Sequence, residues 1–270
     1  MPEASTFDHV ALGLPSRGPF WDVFAGQLGG RWAASGDTWA GFSFAQLRYA
    51  NGMKVEALEP CDGASDFLVR FLAGHGPGPH HLTFKPADLG GTIARAEAGG
   101  YRPFGISLGG PRWREAFLHP RRASGIVVQL AWSAGEPDAA PPAWLPAPRV
   151  AQPAELVHVA HAVTDLAAAL ELFKGLLGGR TVDAGAGGGL GFVDLAYQGP
   201  GRLRLLAGEP TAPWVGDRPG RLHSLCFRLA DPGGVAGAVA RDGWWEVAPA
   251  PPLGVRLVLI EPDAPVPVAV

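Results

Sequence analysis

The sequence has only two cysteines, Cys61 and Cys226, far apart and in different halves, which excludes a disulfide framework and a cysteine-based zinc site. Lysine is nearly as scarce: Lys54, Lys85 and Lys174 are the only lysines among 22 basic residues. A formal charge of −3 leaves no basic footprint for nucleic acid. No apolar run approaches the roughly 18 residues of a membrane span. The amino-terminal stretch MPEASTFDHV lacks the basic and apolar regions of a secretory signal, so a cytoplasmic location is expected. What is abundant is apolar sequence, 47% of 270 residues, together with 39 Gly and 27 Pro. That suffices for a large core, and the length suits two domains.

The chain repeats itself. FDHVALGLPSRGPFWDVFAGQLGGR at 7–31 aligns without a gap on LVHVAHAVTDLAAALELFKGLLGGR at 156–180, an offset of 149 that matches His9 with His158 and Phe24 with Phe173. HHLTFKPADLGGTIARAEAGG from His80 likewise aligns on HSLCFRLADPGGVAGAVARDG from His223. The proline-rich segment 133–154 reads as a linker. Two modules are expected, 1–132 and 155–270.

Within the first module, Phe7–Leu14 reads as a strand and Pro19–Leu28 as an amphipathic helix stopped at Gly29-Gly30. Strand-like runs follow at Gly41–Tyr49 and, past the turn residues Asn51-Gly52, at Met53–Leu58. The order restarts at residue 80, with a helix over Leu89–Glu97 and strands in REAFLHP and GIVVQLAW. Each module therefore reads as βαβββ twice: an α+β fold of paired βαβββ units, four units in all. The tryptophans, Trp113 and Trp144 among them, read as core or interface aromatics.

Four polar residues interrupt strands of the first module that otherwise read as core: His9, Glu56, His81 and Gln129. His9 precedes Glu56 by 47 residues and His81 precedes Gln129 by 48, so each unit offers one His from its first strand and one carboxylate or amide from its last. Two imidazoles with a carboxylate and an amide oxygen suit a divalent ion: Zn, Fe, Co, Ni or Mn. A single anionic ligand leaves the ion net positive charge for polarising a substrate oxygen.

The segments DHVALGLP, FAGQLGGRW, KVEALEP, GPHHLTFKPADLGGTIARAEAGGY and EAFLHPRRASGIVVQL resemble the vicinal oxygen chelate superfamily. That superfamily includes glyoxalase I, methylmalonyl-CoA epimerase, fosfomycin and bleomycin resistance proteins, and extradiol dioxygenases. The first module is most similar to the epimerase and glyoxalase I-like branch. The resemblance implies a curved sheet around a metal with open coordination positions, with His9, Glu56, His81 and Gln129 as ligands and a small-molecule substrate. His80 competes for the third position, although His81 keeps the family's seven-residue distance to Asp88. The resemblance further implies a lyase or isomerase/epimerase acting on a small carbonyl or thioester through a metal-stabilised enolate.

One position departs from that pattern. Glyoxalase- and epimerase-like members usually carry Glu at the last ligand position, and the Gln129 amide cannot accept a proton as a carboxylate does. Glu56, the one carboxylate of the four, is the catalytic candidate in its place. A non-catalytic small-molecule binding protein of the drug-resistance type is the alternative. In the second module the matched positions hold His158, Arg204, Ser224 and Val258, so the metal ligands are lost there, which disfavours an extradiol dioxygenase. Partners reduce to a small molecule, with neither nucleic acid nor membrane expected. The fused modules suit a monomer or a homodimer.

Overall fold

The computed structural model describes residues 4–38, 40–61, 66–135 and 140–268; residues 136–139 of the expected linker lie outside the described residues. The strands of the first module are β1 (Thr6–Gly13), β2 (Arg31–Asp37), β3 (Phe42–Arg48), β4 (Lys54–Pro60), β5 (Gly78–Lys85), β6 (Phe104–Ser107), β7 (Trp113–Leu118) and β8 (Val127–Ser133). They form one sheet in the order β2-β3-β4-β1-β5-β8-β7-β6. The first strand of each unit runs parallel to its last, β1 to β4 and β5 to β8, and β1 joins β5 antiparallel at the centre. The second module repeats this with β9 (Glu155–Val163), β10 (Arg180–Gly187), β11 (Leu190–Ala196), β12 (Arg202–Gly208), β13 (Gly220–Arg228), β14 (Ala238–Ala240), β15 (Trp245–Val247) and β16 (Leu257–Ile260). Their order, β10-β11-β12-β9-β13-β16-β15-β14, matches strand for strand, so the fold is α+β with two modules of paired βαβββ units.

Helix α1 begins as Gly18–Phe20 and runs into a π-helical segment, Trp21–Gln27. Its counterpart α4 does the same, Leu166–Leu170 into Glu171–Leu176. The π geometry thus belongs to the repeat. Helix α2 (Asp66–His75) was not legible in the strand and helix pattern; α3 (Leu89–Ala98) starts at Asp88, whose carboxylate accepts from the Gly91 N–H at 2.9 Å. Asp231 caps the fourth unit identically, accepting from Gly234 N–H at 3.0 Å, yet only a 3-10 turn, Pro232–Gly234, follows. The turn ends at Val235, which is already extended (φ −73°, ψ 129°), and Gly237, where α3 has Ala94, takes a left-handed φ of +79°.

The helix-bearing faces of both sheets share one core, matched across an approximate two-fold. Tyr49 packs on Phe227 at 4.9 Å between ring centroids, and Tyr197 on Phe84 at 5.0 Å. Their hydroxyls donate to the Phe24 carbonyl at 3.2 Å and the Phe173 carbonyl at 2.9 Å. At the junction, backbone meets backbone: a Cβ on Gly125 would lie 1.9 Å from the Gly220 oxygen, and one on Gly254 1.7 Å from the Pro77 oxygen. This close docking leaves the opposite face of each sheet free for chemistry.

Candidate metal centre

Strand alternation sends Val10 and Leu12 of β1 into the core and turns His9, Ala11 and Gly13 to the other face. Two bulges in the β1–β5 pairing modify that rule. His9 pairs with Thr83 while Phe7 pairs with Phe84, which makes Asp8 an extra residue. Ala11 pairs with His81 while Leu12 pairs with Pro79, which makes His80 the second. A bulge places two neighbours on one side of the sheet, so Asp8 accompanies His9 and His80 accompanies His81.

The structure brings His9, Glu56 and His81 together, the one cluster of metal-ligating type among the described residues, with one ligand atom from each all within 4.8 Å of the others. The residues are 1%, 6% and 5% exposed. Glu56 Oε1 lies 3.6 Å from both His9 Nε2 and His81 Nε2. His81 Nε2 is buried without a hydrogen-bond partner, and an orphan of that kind pointing at a carboxylate and a second imidazole is what a cation would satisfy. Burial, then the neighbouring His80 and His9, holds His81 well below the usual histidine range, so it is neutral and a competent ligand.

The surroundings orient these three groups. Asp8 Oδ2 accepts from His9 Nδ1 at 2.8 Å, which directs Nε2 into the cluster. Burial by itself would raise the Asp8 carboxyl, but its hydrogen bond to His9 and the charges of His9, Lys54 and Lys85 hold it far below the carboxylate range. Gln46, opposite Glu56 in the β3–β4 hairpin, donates to Glu56 Oε2 at 2.6 Å. Thr83 donates to Gln129 Oε1 at 2.6 Å, leaving its oxygen to accept from His9 Nε2 at 2.9 Å. Both ring nitrogens of His9 therefore face acceptors. Burial opposes a charge on His9, but Glu56 and Asp8 outweigh it and raise His9 above its ordinary value.

Gln129 therefore reaches the cluster through Thr83, and its amide nitrogen donates in turn to Glu115 Oε2 at 2.7 Å. Asp8, Gln46, Thr83 and Glu115 were not singled out in the sequence. The hairpin registers would have found two of them: pairing centred on Asn51 sets Gln46 against Glu56, and pairing centred on Ala123 sets Glu115 on the same face as Gln129. Trp113 is not a core residue; it is 37% exposed and donates its Nε1–H to Glu115 Oε2 at 2.8 Å. His80 rests against Phe67 and Phe71 of α2 and shares a 2.9 Å hydrogen bond between its Nδ1 and that of His81, with burial pushing it down to about 4. Helix α2 covers the β1–β4 end of this face, close enough that a Cβ on Gly13 would meet the Phe71 ring at 2.8 Å.

The matched face of the second module is built differently. Arg204 stands where Glu56 does and donates twice to Asp194, from Nε to Oδ1 and Nη2 to Oδ2, each at 2.7 Å. Asp194 also bonds His158 Nε2 at 3.1 Å. Burial would raise the Asp194 carboxyl, but Arg204 and His158 hold it at about 2. Val157 occupies the Asp8 position, and His158 Nδ1 has no partner. Ser224, Cys226 and Val258 complete the face, and the carboxy-terminal strap closes it, Arg204 Nη1 donating to the Pro267 carbonyl at 2.7 Å.

Residues 8–117 match the model of the Glyoxalase/Bleomycin resistance protein/Dioxygenase superfamily, a span that includes His9, Glu56 and His81. In structure, the whole chain superposes on 95% of a mutant 4-hydroxymandelate synthase from Streptomyces coelicolor, with a TM-score of 0.68 at 15% identity. About half of the chain also matches single-module structures. A variant of Streptomyces coelicolor methylmalonyl-CoA epimerase in complex with 2-nitronate-propionyl-CoA aligns over 49% of this chain and 100% of its own (23% identity, TM-score 0.44). Methylmalonyl-CoA epimerase from Mycobacterium tuberculosis aligns over 50% of this chain and 93% of its own (23% identity, TM-score 0.45). A sequence search of curated proteins finds no match. Among the described residues no helix is long and apolar enough to cross a membrane.

Proposed function

From the match of residues 8–117 to the Glyoxalase/Bleomycin resistance protein/Dioxygenase superfamily, we propose that the protein is a metal-dependent lyase or isomerase that breaks the C–H bond beside the carbonyl of a small carbonyl or thioester substrate. The observation that carries this reading is the buried His81 Nε2, partnerless and 3.6 Å from the Glu56 carboxylate that also faces His9. His9, Glu56 and His81 would hold a divalent ion (Zn, Co, Ni, Mn or Fe), with Gln129 as the fourth ligand once its oxygen turns from Thr83. Such an ion supplies Lewis-acid polarisation of a substrate oxygen and so favours the enolate. Asp8 fixes the His9 ring, and Gln46 fixes the Glu56 carboxylate, so the ligand atoms are held in place before the substrate arrives.

A second reading is favoured by Gln129 itself: without a carboxylate at that position the site would sequester a small apolar ligand and leave it unchanged. Elemental analysis of protein purified without an affinity tag, beside His9→Ala and His81→Ala, tests the metal site that the first reading requires. About one equivalent of divalent metal, lost in both variants, is expected. Turnover of thioesters or 2-oxoaldehydes by the loaded protein then distinguishes enzyme from binder. No metal, and no thermal shift on adding one, would sink both the metal site and the enzyme.

A further inference from the structure

An α-deprotonating site needs a proton acceptor, and the four ligand positions supply none that is free. Gln129 is an amide. Glu56 Oε2 is taken by Gln46 at 2.6 Å, and Oε1 sits between the two imidazoles. One strand over from Gln129, Glu115 presents another carboxylate. Residues 113, 115 and 117 of β7 alternate with the core residues Ala116 and Leu118, so Trp113, Glu115 and Phe117 share the face of Gln129. Both described hydrogen bonds to this carboxylate, from Gln129 Nε2 at 2.7 Å and Trp113 Nε1 at 2.8 Å, end on Oε2. Oε1 receives none among the described residues. Glu115 is half-buried, beyond the cover of α2, and joined to the cluster through Gln129, Thr83 and His9.

Around it the face is open and apolar apart from Lys85, whose Nζ lies 5.6 Å from the Trp113 ring centroid. Phe104 is 44% exposed and packs on Phe117 at 5.7 Å between ring centroids, on the side of Glu115 away from the metal cluster. Resting on the function proposed above, we infer that Glu115 is the proton acceptor of this site and that the substrate is an acyl compound whose α-carbon bears an apolar or aromatic group seated on Phe104, Trp113 and Phe117. Glu115 Oε1 takes the α-hydrogen as a proton. The C–H electron pair becomes the carbon–carbon double bond of the enolate, and the carbonyl π pair moves onto oxygen. Return of a proton to carbon restores the carbonyl and the carboxylate, so exchange or inversion at the α-carbon needs no oxidant or reductant.

The test uses the metal-loaded full chain in D2O with S-(2-phenylpropanoyl)-N-acetylcysteamine, a thioester with one α-hydrogen beside a ring, followed by proton NMR. Glu115→Gln keeps an oxygen that accepts from both Trp113 and Gln129 but cannot accept a proton. Its expected deuteration rate falls by at least about 100-fold, with metal content unchanged by elemental analysis. Phe104→Ser is expected to raise KM severalfold at constant kcat. Deuteration within twofold of the parent in Glu115→Gln overturns the base and leaves the enolate reading standing. No deuteration by the loaded parent overturns both. Loss of metal in Glu115→Gln also overturns the base, because it makes Glu115 a positioning residue for Gln129.

Discussion

The two modules solve one electrostatic problem in opposite ways. Each buries a carboxylate on the matched face of its sheet, Glu56 on β4 of the first and Asp194 on β11 of the second, and each must neutralise it. In the second the neutralising charge is covalent: Arg204 grips Asp194 with two hydrogen bonds and His158 adds a third. In the first the Arg204 position holds Glu56 itself, whose Oε1 faces two imidazoles and whose Oε2 accepts from Gln46, while His81 Nε2 has no hydrogen-bond partner. The second module thus sets a fixed guanidinium against its carboxylate, while the first sets only imidazoles and an amide against Glu56. The difference arises from few substitutions on a shared frame: Asp8 for Val157, Gln46 for Asp194, Glu56 for Arg204, His81 for Ser224 and Gln129 for Val258. The strap that seats Pro267 on Arg204 closes the second face, whereas β6 and β7 leave part of the first face open.

The comparison breaks most completely if metal follows the wrong module. His81→Ala and His9→Ala are expected to abolish stoichiometric metal, whereas His158→Ala leaves it unchanged, as read by elemental analysis of each dialysed protein. Metal loss from His158→Ala would assign the ion to the second face.

The next effect is on stability. Arg204→Met strips Asp194 of its partner in a buried site and is expected to cost about 3–5 kcal/mol in urea denaturation, while adding Asp194→Leu to it recovers most of that loss. If the single variant is as stable as the parent, Arg204 is not the charge that replaces a metal. A smaller change removes the charge behind His9, a charge that also pairs with Lys54 and Lys85. Asp8→Asn is expected to weaken metal binding about 10- to 100-fold in a chelator competition. An unchanged affinity would mean that an uncharged acceptor serves His9 as well as the carboxylate does.

Much of this was readable beforehand. The offset of 149 and the spacings of 47 and 48 identify the repeat and place His9, Glu56, His81 and Gln129 at matched strand positions, because strand order and length are preserved between units. What spacing misses is anything that breaks the period of two. The bulges at Asp8 and His80 each add one residue, so Asp8 joins His9 on the site face and the choice between His80 and His81 waits on the structure. Partners across a hairpin, Gln46 to Glu56, follow from turn position and not from any motif. Helix α2 replaces no element of the repeat, and its apolar residues mean little until the sheet face beneath them is known. The fourth unit shows the converse: the cap at Asp231 is preserved, but the chain is extended from Val235 and no helix follows it.

The smallest expected effect at neutral pH concerns the one position where the second module carries a histidine opposite an apolar residue of the first, His161 against Leu12. His161 is fully buried, and its Nε2–H donates to the Ser124 carbonyl at 2.7 Å across the junction of the modules. Burial, only partly offset by that hydrogen bond, lowers it to about 4, while in the unfolded chain it titrates near 6.5. Between those values the unfolded state binds more protons, so stability is full above pH 6.5 and falls as the pH drops toward 4, by up to about 1.4 kcal/mol per unit for one proton. His161→Leu installs the first module's residue and leaves the Ser124 carbonyl without its donor, a cost of about 1 kcal/mol at pH 7. The variant no longer has this proton to take up, and His80, His81 and His223 titrate in both proteins alike. Its stability, measured by urea denaturation from pH 7 to 4.5, is therefore expected to start below that of the parent and cross above it on acidification. Parallel curves would show that His161 keeps its ordinary protonation in the fold, and would remove acid sensitivity from the list of ways in which the modules differ.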